Sequence, residues 1–205
     1  MPGRPDMKGC GPDRPRRYGR GARAVSLIET LVVIGVVAII MLLFSQVFAS
    51  STDLYAKLTA RNDNETSAIL ASRVISEMAR GASQVLETKT INGTAYASSD
   101  DQLVLEMPAI NSSWEIIDGS YDYIAFYRDG TEPEKIFSDT EAATGSYRIT
   151  GQKLVADNNI QIAFRYNNAD ITDASRVSVY MVNQQVTRGA TVTTRAWTSI
   201  FLRNR

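Results

Sequence analysis

Two changes of periodicity predict an α+β fold in which one long N-terminal α-helix packs on a C-terminal antiparallel β-sheet domain. From Val25 to Ala49 the chain is almost wholly apolar, and Leu31 to Phe44 carries no polar side chain at all. From Ser50 to about Leu86 there is no proline, and apolar residues recur at spacings near three, four and seven, the signature of an amphipathic helix. Beyond residue 100 the pattern shortens to period two and draws on β-branched and aromatic residues, as a half-buried sheet requires. Helix first and strands afterwards, rather than in alternation, place the chain in the α+β class.

Residues 1–24 precede the helix. They hold five glycines and four prolines without periodicity, and seven basic against two acidic side chains, a net charge of +5. Such a segment cannot bury enough apolar surface to fold, is expected to be disordered, and is set apart from the fold as a targeting leader. The rest of the chain carries −5, because the formal charge of the whole is zero. That is not the balance of a nucleic-acid-binding domain, which would hold a basic face.

The apolar segment 25–49 comes next. At about 1.5 Å per residue it reaches across a bilayer core of about 30 Å, so it is expected to span a membrane, with the basic leader on the cytoplasmic side. Its candidate membrane-facing residues are Leu27, Ile28, Leu31, Val32, Ile34, Gly35, Ile39, Leu42 and Phe44. Glu29 is out of place among them. A carboxylate at membrane depth costs about 2.5 to 3.5 kcal/mol on insertion scales, so a plain anchor would do better without it.

Residues 50–90 continue the helix, giving one element of about 55 to 60 residues. Leu54, Leu58, Ile69, Val74, Ile75, Met78 and Val85 are the expected buried stripe, and Gly81 is expected to loosen the last turns. Residues 91–205 form the β-rich domain. Its strands are expected at Gln102–Met107, Tyr121–Gly130, Lys135–Asp139, Tyr147–Ala156, Ile160–Tyr166, Arg176–Val182 and Thr194–Arg203, with turn signals at Asp129-Gly130 and Thr150-Gly151-Gln152. Trp114, Tyr121, Tyr123, Phe126, Tyr127 and Trp197 are expected in the sheet core or in cross-strand pairs.

Several chemistries are excluded by composition. The chain has no histidine, and its one cysteine, Cys10, lies in the leader, so Cys/His zinc sites, thiol nucleophiles and Ser-His-Asp catalysis cannot be built. No constellation of carboxylate, lysine and serine suggests an enzyme, and none is expected. Asp170 and Asp173 in "NNADITDAS" are carboxylates suited to calcium, but the ligand count falls short and a solvated polar turn is the expectation. No cofactor is expected. The sequons at Asn64, Asn92 and Asn111 are taken as chance matches.

The stretch "AVSLIETLVVIGVVAII" (Ala24 to Ile40) resembles the N-terminal processing and methylation motif of type IV pilins and type II secretion pseudopilins. In that motif a small residue is followed by a hydrophobic one, a short polar one, two aliphatics and a glutamate. Here Ala24 stands where glycine is usual and Val25 where phenylalanine is usual. The resemblance implies cleavage by a prepilin peptidase between Ala24 and Val25, N-methylation of Val25, and a role in assembly for Glu29 as fifth residue of the mature chain. It also implies a pilin-like fold, a place in the bacterial inner membrane before extraction into a filament or its tip, and other pilin-like subunits as partners through the helix. The ending "TRAWTSIFLRNR" is similar to that of J-type minor pseudopilins and W-type minor pilins. The alternative is an ordinary secretory signal: Val47-Phe48-Ala49 before Ser50 satisfies the small-residue rule for cleavage after Ala49, and Arg16-Arg17 resembles a twin-arginine leader. Its product would be an exported, soluble, β-rich binding domain.

Overall fold

The computed structural model of the protein describes residues 26–202. The chain divides into two units, 1–48 and 49–205, whose boundary falls within a single helix, α1 (Leu27–Gly81). Its 55 residues match the expected length, but it stops at Gly81 rather than near Leu86. Ala82 closes the last turn by donating to the Ala79 carbonyl, and the chain then turns into the short strand β1 (Gln84–Val85).

In the first unit the described residues, Ser26 to Phe48, are all helical or at the helix start, and all are exposed. In the second unit α1 is buried along Ala60, Asn64, Ala68, Ala71, Ile75 and Ala79, a stripe that repeats every three or four residues. The stripe is mostly alanine. Leu54, Leu58 and Ile69, expected inside, are 59%, 55% and 62% exposed, whereas Ile75 and Val85 are fully buried and Val74 and Met78 half-buried. Hydropathy points to the large side chains, but the helix presents its small ones to the sheet, which lets backbone approach backbone without loss of side-chain entropy.

The sheet domain follows as β2 (Thr88–Ile91), β3 (Thr94–Ala97), β4 (Leu103–Ile110), β5 (Ile116–Arg128), β6 (Ile136–Glu141), β7 (Gly151–Ala156), β8 (Asn159–Tyr166), β9 (Arg176–Thr187) and β10 (Ala190–Phe201). They make a five-stranded sheet, β1-β4-β5-β6-β7, a three-stranded sheet, β10-β9-β8, and the hairpin β2-β3, with every pair antiparallel. Both larger sheets feed one core, in which Ile75 of α1 belongs to the same cluster as Leu103, Leu105, Phe126, Phe164 and Val179. Period two sends Val104 and Ala125 to the opposite face, where they pack with Ile91 and Tyr96 of the hairpin.

The hairpin β2-β3 was not anticipated. Its turn is Asn92-Gly93, with φ of 49° and 84°, the left-handed pair of a type I′ turn that this dipeptide favours. Arg188-Gly189, at 45° and 74°, makes the same turn between β9 and β10. Conversely, Thr150-Gly151 is not a turn: Gly151 opens β7, and the threonine hydroxyl accepts from the Ala142 amide.

Candidate functional site: the apolar helix and its carboxylate

α1 begins where the polar residues permit it. Ser26 lies just outside, its carbonyl accepting from the Thr30 amide at 3.1 Å and facing the Thr30 hydroxyl at 3.4 Å. Glu29 occupies the first turn, where a negative side chain meets the unpaired amides and the positive end of the helix dipole. The dipole offsets part of the cost of a charge there, by about 0.3 to 1 kcal/mol.

The residues singled out in the sequence line up behind it. Leu27, Ile28, Leu31, Val32, Ile34, Ile39, Leu42 and Phe44 are all at least 60% exposed, and a Cβ built at Gly35 would meet no atom within 4 Å. An 18-residue window of this helix reaches a mean hydropathy of 2.9 with none of it buried. Single exposed leucines are ordinary on soluble proteins, but an apolar surface on every side of six helical turns is not. By length and composition the segment is able to cross a membrane, as a signal sequence near an N-terminus also is. Ala24 and Val25 lie outside the described residues.

Elsewhere the chemistry-bearing side chains are engaged in structure. Asp170 caps the short 3-10 helix Ile171–Asp173, accepting from the Thr172 amide at 3.0 Å and its hydroxyl at 2.7 Å. Among the described residues no three Asp, Glu, His or Cys side chains are grouped so as to hold a metal ion. Asn64, one of the three sequons, is fully buried, its amide donating to the Val192 carbonyl at 3.2 Å. Asn92 holds the hairpin turn by donating to Asp139 and to the Thr140 carbonyl. Burial pushes the Tyr96 phenol well up, and its contacts with Tyr127 and Asp139 act the same way.

The aromatic residues divide. Phe126 is in the core and Tyr123 and Tyr127 are half-buried; Trp197, 71% exposed, and Tyr121, 41% exposed, stand in cross-strand register with Tyr180 and Pro108, and Trp114, also 71% exposed, lies outside the strands, against expectation. Trp114 sits in a loop with φ of 65°, its ring 5.3 Å from that of Tyr147. β10 presents Trp197 at its outer face because a period of two leaves alternate residues outside.

Sequence reasoning missed Asp122, which is fully buried in β5. It accepts from the Ala143 amide, the Ser146 hydroxyl and the Arg148 guanidinium, and so ties the connection between β6 and β7 to the sheet. Its signal was present: Asp122 is in phase with Ile124 and Phe126, the inward residues of the same strand. No protein-family model matches the chain, and no curated protein matches it.

Proposed function

We propose that the protein is a minor pilin or pseudopilin, a structural subunit that initiates or caps a type IV pilus or a type II secretion pseudopilus. The observation that carries this reading is the combination in one helix of a fully exposed apolar half, a carboxylate in its first turn, and a continuation that packs on a sheet domain. The residues before the helix support it, since a basic leader ending at Ala24-Val25 sets the processing register that would make Glu29 the fifth mature residue. The subunit is held in the bacterial inner membrane by residues 25–49 with the leader in the cytoplasm, in line with the positive-inside rule. It acts by assembly and not by catalysis, with the peptidase and methyltransferase as processing partners and other subunits as helix-to-helix partners.

Glu29 then has a task. Cleavage creates an amine at Val25, one turn away, and methylation leaves it a cation. Among apolar helices a carboxylate and an ammonium are each costly alone, whereas paired they offset most of that cost. Glu29→Leu should therefore leave membrane insertion intact and abolish incorporation into sheared filaments, because a neighbour's ammonium would be buried unpaired at about 3 to 5 kcal/mol. Entry of the variant into filaments at the wild-type level would sink this account of the carboxylate.

A second reading has one observation in its favour. The boundary between the two units lies between Phe48 and Ala49, beside the site expected for an ordinary signal peptidase. The mass of the mature N-terminus separates the two: a methylated Val25 supports the subunit, and Ser50 establishes the exported domain.

A further inference from the structure

β10 is the edge of its sheet, paired with β9 on one side only. Its register is pinned by the two-residue turn, which makes Thr187 and Ala190 partners, and runs to Phe201 opposite Arg176 without a bulge. In such a hairpin the even-numbered residues of β10 exchange hydrogen bonds with β9, and Leu202, next in phase, donates to the Ser175 carbonyl at 2.9 Å. Thr191, Thr193, Arg195, Trp197 and Ser199 therefore aim their amides and carbonyls outward, where no partner meets them among the described residues. Natural edges of this length are usually blunted by proline, a bulge or several charges. β10 has twelve residues, no proline, and one charge, Arg195.

What lies beside the edge gives it a chemical preference. One groove, about 480 Å³, runs between Thr191–Arg195 and the α1 residues Lys57, Leu58, Arg61 and Glu65. A second, about 420 Å³, lies between Arg80 and Ser199–Leu202. On the helix side Lys57, Arg61 and Arg80 thus line the edge with positive charge, and the one acid of the two grooves, Glu65, is paired to Arg61 at 2.8 Å, whereas Arg195, in phase with Trp197, stands on the outer face. On the outer face of the same strand Trp197 and Phe201 are 71% and 66% exposed.

We propose that the free edge of β10 binds an extended acidic segment of a partner protein, which adds to the sheet as a fourth strand. The outward backbone groups would supply the main-chain hydrogen bonds, and the pleat would divide the side chains of the added strand. Carboxylates on its one face would meet the basic row of the grooves, and aliphatic residues on the other would cover Trp197 and Phe201. A second copy of this chain is the wrong occupant, since pairing β10 with β10 would set Arg195 and the basic row against their own like. The surface lies wholly in the second unit and is the same whether or not the apolar helix spans a membrane.

The test uses the full chain in detergent micelles and, as probe, a blocked seven-residue peptide alternating glutamate and valine. Hydrogen exchange of the Thr191, Thr193, Arg195 and Trp197 amides should slow by about tenfold with the probe, while Val192 and Thr194 stay unchanged. Added salt should weaken the effect, as should the double substitution Lys57→Glu with Arg80→Glu. Thr193→Pro, which removes only an outward amide, should keep the circular dichroism spectrum and lose the effect. Unchanged exchange with the probe, equal slowing by a lysine-valine peptide, or slowing that persists in the charge-reversed variant would each overturn the proposal. So would slowing of the same amides on self-association without the probe, which would assign the edge to a second copy.

Discussion

Asp122 is the residue whose removal should be felt most in the sheet domain. A fully buried carboxylate is tolerated because three donors meet it, and the Arg148 guanidinium that supplies the charge also donates to the Pro108 carbonyl at 2.7 Å. Asp122→Ala strands the Ala143 amide and the Arg148 charge together and should destabilise the protein by about 3 to 5 kcal/mol. Arg148→Ala should be strongly destabilising too, by leaving the carboxylate alone. A double-mutant cycle followed by urea denaturation checks this, and a cycle in which the two losses simply add would mean that the pair is not coupled. Exposed pairs such as Arg73–Glu77, at 2.8 Å with both side chains more than half exposed, should contribute nothing measurable, because solvent screens them.

At the scale of elements, the face α1 turns to the sheet decides which substitutions matter. Leu58→Ser, at a position 55% exposed, should change stability by less than about 0.5 kcal/mol, although hydropathy alone would rank it among the worst. Ala71→Leu, at a position with no exposure, should overpack the contact and cost about 1 to 3 kcal/mol. Thermal melts of both variants measure this directly, and the reverse order would mean that the leucine stripe is the buried one. The same contrast shows what the sequence could and could not tell. Strands β4 to β6 and β8 to β10 lie where alternation places them, because a half-buried strand writes its two faces directly into the chain. The buried helix face was misread because hydropathy ranks side chains by size, whereas close approach of helix to sheet selects small ones. The hairpin β2-β3 is not visible to alternation because its strands are only four residues long, too short for two faces to show in the sequence around the Asn92-Gly93 turn. Glu29 was legible as an anomaly, since one carboxylate in an apolar run needs no tertiary context to be noticed. Asp122 needed that context: its phase could be read from the strand, but the loop that satisfies it could not.

For the whole molecule, the division at Phe48 predicts that the second unit stands alone. None of the described residues before Ala49 is buried, so their deletion removes no part of either hydrophobic cluster. A fragment of residues 49–205 should be soluble and monomeric without detergent, with the cooperative melt of the full chain. Size-exclusion chromatography and circular dichroism test this, and a fragment that aggregates or melts without cooperativity would show that the apolar half contributes to the fold. Cutting at residue 82 instead removes Ile75 and Ala79 from the core and should leave an unfolded chain.

The alanine face of α1 has a mechanical consequence. Alanines interlock poorly, so against sliding the helix is held by Ile75 in the core and by the few polar side chains that reach across. Among these are Asn64, whose backbone carbonyl also accepts from the Asn183 amide at 3.3 Å, Ser67, which donates to Asp157 at 3.2 Å, and Thr52 and Asp53, which meet Arg188 at 3.1 and 2.6 Å. A pull along the helix axis would load these ties together, in shear, while the hairpins of the sheet carried none of it. The exposed Arg188 tie would yield first and the buried Asn64 amide last of these three, so under tension the joint should hold at Asn64 and at Ile75, the one large α1 side chain seated in the core.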